Sequence, residues 1–267
     1  MGGGSESVQV DGHTIAFERR GQGPPLVLLH GAAADSRYWR RELDSLSDEF
    51  TVVAWDAPGC GRSFDPPDDY GLDGYADCLA AFVEALGLER PHVLGVSLGS
   101  SLALELFRRH RALPRSLVLT SAYAGWLGSL GREIAEERRA WGLRAADQPR
   151  EEYVREFTET LFVSSVPADV VAEMRELVTE LHPAGVRAMA NASADADLRD
   201  VLPEIDVPTL LIHGDLDQRS PLLVGEDLHA QIPGSRLVVI TGVGHVVNLE
   251  VPDRFGDEVR GFLRAAG

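Results

Sequence analysis

A serine flanked by glycines, Ser97 within residues 95–99 (GVSLG), has the setting of a residue that performs chemistry. A largely apolar run at 91–94 precedes it, and leucines recur at every fourth position from Leu98 onward, which is the spacing of one helix face. This order of strand, tight turn and helix holds a serine in a sharp bend with its hydroxyl exposed above the sheet. The flanking glycines leave room for the neighbouring strand and helix. The setting favours a nucleophile over a purely structural turn.

A serine nucleophile needs a base, and the base needs an acid that orients it. In strand–turn–helix sites of this kind the acid and then the base follow the serine in the chain, each after a later strand. An apolar strand pattern at 208–213 runs into Asp215 and Asp217, and a second pattern at 236–240 runs into His245. Among the eight histidines, His245 stands out because it follows the last strand in a glycine-bounded loop. The residues alone leave both aspartates open as the acid.

With these pieces in order, the chain resembles the α/β-hydrolase superfamily, in its cap-bearing serine esterase and lactonase branch. The resemblance rests on five ordered segments spread over nearly the whole chain: His30-Gly31, residues 56–63, 95–99 and 214–221, and Gly244-His245 followed by 250–252. It implies the family's nucleophile at Ser97, its acid at Asp217 and its base at His245. Asp217 is favoured over Asp215 because it stands four residues before Pro221, as in the family's pattern.

The family's oxyanion hole consists of backbone N–H groups that bind the charged oxygen of the intermediate. One should belong to Leu98, directly after the nucleophile. The resemblance places the other at Ala32, just after His30-Gly31. The alternative interpretation is that residues 31–34 form only a flexible turn.

The resemblance implies a carboxylic ester hydrolase, an esterase or lactonase that forms an acyl-enzyme on Ser97 without a cofactor or metal. It extends in a general way to 3-oxoadipate enol-lactonase-like hydrolases. Two alternatives stay open. The same three residues could serve a cofactor-free perhydrolase or haloperoxidase or a C–C bond hydrolase, or the fold could serve as a ligand sensor. We expect a small-molecule ester or lactone as the partner, and the oligomeric state stays open.

Composition excludes several other classes of protein. All 25 basic residues are arginine, which removes Schiff-base chemistry, pyridoxal phosphate attachment and lysine-dependent phosphate loops. No dinucleotide-binding glycine motif follows a strand, and the histidines and two cysteines lack metal-ligand spacing. A formal net charge of −17 argues against binding to nucleic acid or anionic membranes.

The composition also bears on location. No hydrophobic run is long enough to span a bilayer. Residues 1–6 carry no apolar signal region and are expected to form a disordered lead-in. Two cysteines imply no disulfide framework. We therefore expect a cytoplasmic protein.

Strand patterns alternate with helical ones, which predicts an α/β fold: a mostly parallel eight-stranded sheet flanked by helices. Active sites in such sheets gather at the carboxyl ends of the strands. Residues 123–202 break the alternation, with helical stripes at 154–162 and 170–181 and no clear strand. We interpret this segment as a helical cap, inserted between strands 6 and 7 of a core formed by residues 1–122 and 203–267.

Large side chains near the predicted site are candidates for the substrate pocket. They are Tyr38 and Trp39 after the oxyanion loop, and Trp126, Trp141, Phe162 and Met189 in the predicted cap. The alternative interpretation for the last four is that they pack inside the cap.

Overall fold

A computed structural model of the chain describes residues 5–163 and 166–267. Its strands are β1 (Glu6–Val10), β2 (His13–Arg20), β3 (Pro25–Leu29), β4 (Thr51–Trp55), β5 (His92–Val96), β6 (Ser116–Thr120), β7 (Thr209–Gly214) and β8 (Arg236–Ile240). In the described residues they form one eight-stranded sheet in the order β1-β2-β4-β3-β5-β6-β7-β8. The β1–β2 and β2–β4 pairs are antiparallel and the others parallel. The predicted α/β-hydrolase sheet is confirmed.

Helices connect the parallel strands and flank the sheet. They are α1 (Arg40–Ser45), α2 (Gly71–Ala85), α3 (Leu98–Arg109), α4 (Gly125–Asp147), α5 (Arg150–Glu159), α6 (Ala168–Thr179), α7 (Pro183–Asp195), α8 (Leu222–Gln231), α9 (Val247–Glu250) and α10 (Pro252–Ala265). Within the sheet, every residue of β5, β6 and β7 is buried. Strands covered on both faces need apolar side chains on both, so these three read as near-continuous apolar runs in the sequence.

Three of these strands end where the predicted chemistry begins. β5 ends directly before Ser97, β7 ends shortly before Asp217, and β8 ends shortly before His245. All three strands point the same way in the sheet. Their carboxyl ends therefore meet at one edge, which brings three distant parts of the chain together.

Helices α4 to α7 lie between β6 and β7 in the chain. Of these, α4 packs along α7 and α5 packs on α6, while α7 also contacts α2. α4 bends at Gly131, whose φ of 81° departs from helical geometry. The division into a core of residues 1–122 and 203–267 and a cap of residues 123–202 stays a prediction. Parts of both segments, residues 1–4 and 164–165, lie outside the described residues.

Two local predictions differ from the structure. The disordered lead-in predicted for residues 1–6 is wrong at Glu6, which begins β1 and pairs with Phe17 of β2; residues 1–4 lie outside the described part. The helical stripe at 154–162 predicts a helix up to Phe162, but α5 stops at Glu159.

None of the described helices has the length and apolar character needed to cross a membrane. In residues 5–163 and 166–267, no three His, Cys, Asp or Glu side chains are grouped so that they could hold a metal ion.

Candidate active site

The turn between β5 and α3 holds Ser97 in a strained conformation, with φ 54° and ψ −115°. Its N–H donates to the carbonyl of Thr120 at 2.9 Å, which ties the turn to β6. A Cβ on Gly95 would lie 2.2 Å from the carbonyl oxygen of Gly99, and a Cβ on Gly99 would lie 2.1 Å from the carbonyl oxygen of Leu29. Glycine is therefore required on both sides of the serine, as the sequence pattern indicated.

His245 and Asp217 form a buried pair. Nδ1 of His245 lies 2.8 Å from Oδ2 and 3.0 Å from Oδ1 of Asp217. A carboxylate can only accept, so Nδ1 carries the proton and Nε2 is left as an acceptor. The backbone N–H groups of Arg219 and Ser220 also donate to Asp217, at 2.8 and 2.9 Å. Burial by itself would raise the pKa of Asp217, but the adjacent His245 and these hydrogen bonds lower it to about 2.

The second aspartate of the same loop has a different partner. Oδ1 of Asp215 accepts the N–H of Gly242 at 2.6 Å, and among the described residues Asp215 forms no hydrogen bond or ion pair with His245. The structure thus brings Asp217, and not Asp215, to the histidine.

The backbone around His245 is held from three directions. Its N–H donates to the carbonyl of Leu161 at 3.1 Å, and its carbonyl accepts the hydroxyl of Ser121 at 2.7 Å. The preceding Gly244 donates its N–H to the carboxylate of Glu250 at 3.0 Å. Sequence reasoning missed Ser121 and Leu161 as partners. Ser121 carried one usable signal, since it directly follows β6 at the edge where the other loops meet.

The N–H groups of Ala32 and Leu98 make no hydrogen bond to any other part of the described chain. Leu98 is the first residue of α3, where backbone N–H groups have no partner inside the helix. The Ala32 loop is fixed by His30, whose Nδ1 donates to the carbonyl of Gly31 at 2.8 Å and whose Nε2 accepts the N–H of Ala57 at 3.0 Å. Burial lowers the pKa of His30, which keeps this ring neutral. Both N–H groups are available to a ligand.

A narrow cavity, here called the catalytic cavity, joins these groups. Its lining includes Ser97, Leu98, Ala32, Tyr38, Trp126 and His245. A second cavity lies beside it and includes Cys60, Trp126, Trp141, Tyr153, Met189 and Arg219 in its lining. Ala32, Trp126, Phe157 and Arg219 line both cavities. An open groove of about 940 Å³ lies elsewhere, near the amino ends of β5 and β6, and contains none of the predicted site residues.

The structure places four of the six predicted pocket residues at these cavities. Tyr38 lines the catalytic cavity, Trp141 and Met189 line the second, and Trp126 lines both.

Trp39 and Phe162 line neither cavity. Trp39 is 0% exposed and packs edge-to-face on Tyr38 within the core. It misses the cavity that Tyr38 lines because neighbouring side chains of the short 3₁₀ helix Ser36–Trp39 point in different directions. Phe162 lies beyond the end of α5 and packs half-buried against the core.

A family model for the alpha/beta hydrolase fold matches residues 24–252 of the chain. The chain belongs to the α/β-hydrolase fold family. This agrees with the sheet order, the serine turn and the resemblance noted in the sequence.

Relatives within the α/β-hydrolase family carry esterase and lactonase names. A pimeloyl-[acyl-carrier protein] methyl ester esterase of Neisseria meningitidis serogroup C is 31% identical over 250 residues, covering 89% of this chain and 93% of the relative. The structure of a thermophilic esterase from Thermogutta terrifontis, with malate bound, has a TM-score of 0.91 at 30% identity and covers 98% of this chain and 99% of its own. An enol-lactonase from Burkholderia xenovorans has a TM-score of 0.88 at 25% identity, with coverage of 97% and 100%.

Proposed function

We propose that this protein is a carboxylic ester hydrolase that cleaves an ester or lactone through an acyl-enzyme on Ser97. The observation that carries the proposal is the pairing of His245 with Asp217, which leaves Nε2 as an acceptor on a ring that lines the same cavity as Ser97. The esterase and lactonase names of the relatives support the substrate class.

In the first half of the reaction, the hydroxyl of Ser97 attacks the substrate carbonyl while Nε2 of His245 takes its proton. Asp217 stabilises the imidazolium and holds the Nδ1–H tautomer. The negative charge that develops on the carbonyl oxygen is bound by the N–H groups of Ala32 and Leu98, and each such donor contributes ~10²–10³ in turnover.

In the second half, His245 gives its proton to the leaving alcohol and the acyl group stays on Ser97. A water molecule then takes the place of the alcohol. His245 removes a proton from this water while the water oxygen attacks the acyl carbonyl. The bond from the acyl carbon to the Ser97 oxygen then breaks, His245 returns the proton to that oxygen, and the carboxylic acid leaves. These steps balance without a cofactor or metal ion.

We further propose that residues 123–202 form a cap over the site carried by residues 1–122 and 203–267. Trp126 and Phe157 of this segment line the catalytic cavity together with Ser97. The catalytic and second cavities enclose only about 30 Å³ each, room for about two water molecules. A short ester therefore needs more room than these cavities offer, and we propose that the cap helices shift to admit it.

The test is a panel of short esters, lactones and thioesters with the Ser97→Ala protein as the blank. We expect turnover of at least one ester or lactone and a loss of about 10⁶-fold in the variant. Retained turnover in Ser97→Ala would rule out this nucleophile. Slow single-turnover labelling of the wild-type protein, with no sustained hydrolysis, would favour a ligand sensor instead.

A further inference from the structure

Arg219 places a positive charge at the wall of both cavities without a carboxylate ion-paired to it among the described residues. Its side chain is half-buried and lines the catalytic cavity together with Ser97 and His245. Its guanidinium forms no ion pair with any carboxylate in the described part of the chain. Asp217, two residues earlier, is already engaged by the ring of His245 and two backbone N–H groups.

Most other arginines that form no ion pair among the described residues are exposed, whereas Arg219 is half-buried. The chain has 42 acidic residues and 25 basic ones, so an arginine has many carboxylates to choose from. Withdrawing a cation from water without a counter-charge is unfavourable. Burial accordingly lowers the pKa of Arg219, although a guanidinium stays protonated at neutral pH. An arginine without an ion-pair partner at the candidate active site is suited to bind an anion.

The contacts of Arg219 hold it in place without neutralising it. Its guanidinium stacks 4.8 Å from the ring centre of Phe157, and Nη1 donates to the hydroxyl of Thr160 at 2.7 Å. Nη2 of Arg138 donates to the backbone carbonyl of Arg219 at 2.8 Å, and Arg138 likewise forms no ion pair with a described carboxylate. Nε and Nη2 of Arg219 have no acceptor among the described residues, and together they offer the planar pair of donors that matches a carboxylate.

On the proposed mechanism, the two cavities hold different parts of the substrate. His245 must face the leaving oxygen that it protonates, and it lines the catalytic cavity but not the second one. Ala32, one proposed oxyanion donor, lines both. We therefore assign the second cavity to the acyl chain. Its wall is mostly apolar, with Arg219 at the junction with the catalytic cavity.

We propose that Arg219 binds a free carboxylate on the acyl chain, so that the enzyme prefers half-esters of short dicarboxylic acids over the corresponding neutral diesters. The proposal rests on the ester hydrolysis proposed above and names its substrate class. Phe157 and Arg138 act as positioning residues for this arginine.

The experiment compares monomethyl and dimethyl esters of succinic, glutaric and adipic acids at pH 7.5, where the free carboxyl is ionised. Each pair has the same acyl chain and the same leaving group, so the ratio of kcat/KM for the monoester to that for the diester isolates the charge. Methanol release is measured for the wild-type protein and for Arg219→Gln, Arg219→Lys and Arg132→Gln. Arg132 is an exposed residue of α4, and its variant removes the same charge away from the site.

We expect Arg219→Gln to lower this ratio by about 10- to 100-fold at the chain length that the wild type prefers, mainly through KM, which is the effect of one lost charge-assisted hydrogen bond. Arg219→Lys keeps the charge but not the planar pair of donors, so its ratio should lie between the ratios of the wild type and of Arg219→Gln. It also serves as the test if the glutamine variant does not fold. Arg132→Gln should leave the ratio within twofold of wild type.

An unchanged ratio in Arg219→Gln, or an equal fall in Arg132→Gln, overturns the carboxylate site. A merely structural role of Arg219 would lower both rates together and leave the ratio intact, and this result also overturns the carboxylate site.

p-Nitrophenyl acetate separates the failure of the carboxylate site from the failure of the proposed ester hydrolysis. If this ester is cleaved in a Ser97-dependent way but no monoester is preferred, only the carboxylate site fails. If the wild type cleaves none of these esters, the proposed hydrolysis fails with it.

Discussion

Replacing Asp217 by asparagine is expected to lower kcat/KM for ester hydrolysis by about 10³- to 10⁴-fold with little change in structure. The carboxylate accepts the Nδ1 proton of His245 at 2.8 Å, and on the proposed mechanism this leaves Nε2 free to take the proton of Ser97. The amide NH₂ of an asparagine can donate to Nδ1 instead. The ring proton then moves to Nε2, which can no longer act as a base.

The expected fall in kcat/KM of Asp217→Asn has two parts. The pKa of Asp217 falls from 3.8 to about 2, which corresponds to ~2 kcal/mol of preference for the charged form at 1.36 kcal/mol per tenfold. The same charge would stabilise the imidazolium that forms as Ser97 gives up its proton, so part of the expected rate loss comes from removing it. The wrong tautomer accounts for the rest of the ~10⁴-fold loss that such substitutions cause.

The assay is steady-state hydrolysis of the best ester from the panel, with Asp215→Asn as the matched control. Asp215 lies in the same loop but accepts from Gly242, so its variant should keep activity within about threefold of wild type. Circular dichroism should show the same fold in both variants. If Asp217→Asn keeps more than a tenth of wild-type activity, or if Asp215→Asn falls as far, the assignment of the acid is wrong.

Two further predictions test the structure around the site. Gly99→Ala places a Cβ 2.1 Å from the carbonyl oxygen of Leu29, so it should lower the free energy of unfolding by ~1–3 kcal/mol and lower activity as well. The control is Gly261→Ala in α10, which has nothing within 4 Å of its Cβ and should be neutral or stabilising. Urea unfolding measures both variants, and equal stability of the two would contradict this prediction. Burial raises the pKa of Glu42 from 4.5 to about 8, so the folded state keeps a proton that the unfolded state releases. Between pH 5 and 7.5 the free energy of unfolding of the wild type should therefore fall by ~3 kcal/mol relative to that of Glu42→Gln. If the difference between the two proteins does not change with pH, Glu42 is not buried as described.

The mostly parallel eight-stranded sheet and the places of the three central residues could be predicted because they depend on local patterns. Apolar runs mark the buried strands, and polar residues after β5, β7 and β8 meet at one edge once those strands are parallel. The choice between Asp215 and Asp217 needed the family's spacing, because both follow β7 within three residues of its end.

Contacts between distant segments could not be predicted from local patterns. The stripe at 154–162 continues in sequence, but α5 ends at Glu159 and the carbonyl of Leu161 accepts the N–H of His245 instead. Tyr38 and Trp39 are adjacent and similar in type, yet only one reaches the cavity. Arg219 is one arginine among 25, and it is distinguished by lining both cavities without an ion-pair partner among the described residues, which no spacing in the sequence records.

The most direct test of the central claim is mass spectrometry of the protein quenched during turnover of a slow ester. We expect one acyl group on the peptide that contains Ser97, and none in Ser97→Ala. Ser100 and Ser101 lie on the same peptide but are buried, with hydroxyls bonded to the carbonyls of Gly95 and Tyr123, so fragmentation should place the acyl group on Ser97 alone. Hydrolysis that proceeds with no acyl group on Ser97, or with one on another residue, would contradict the mechanism.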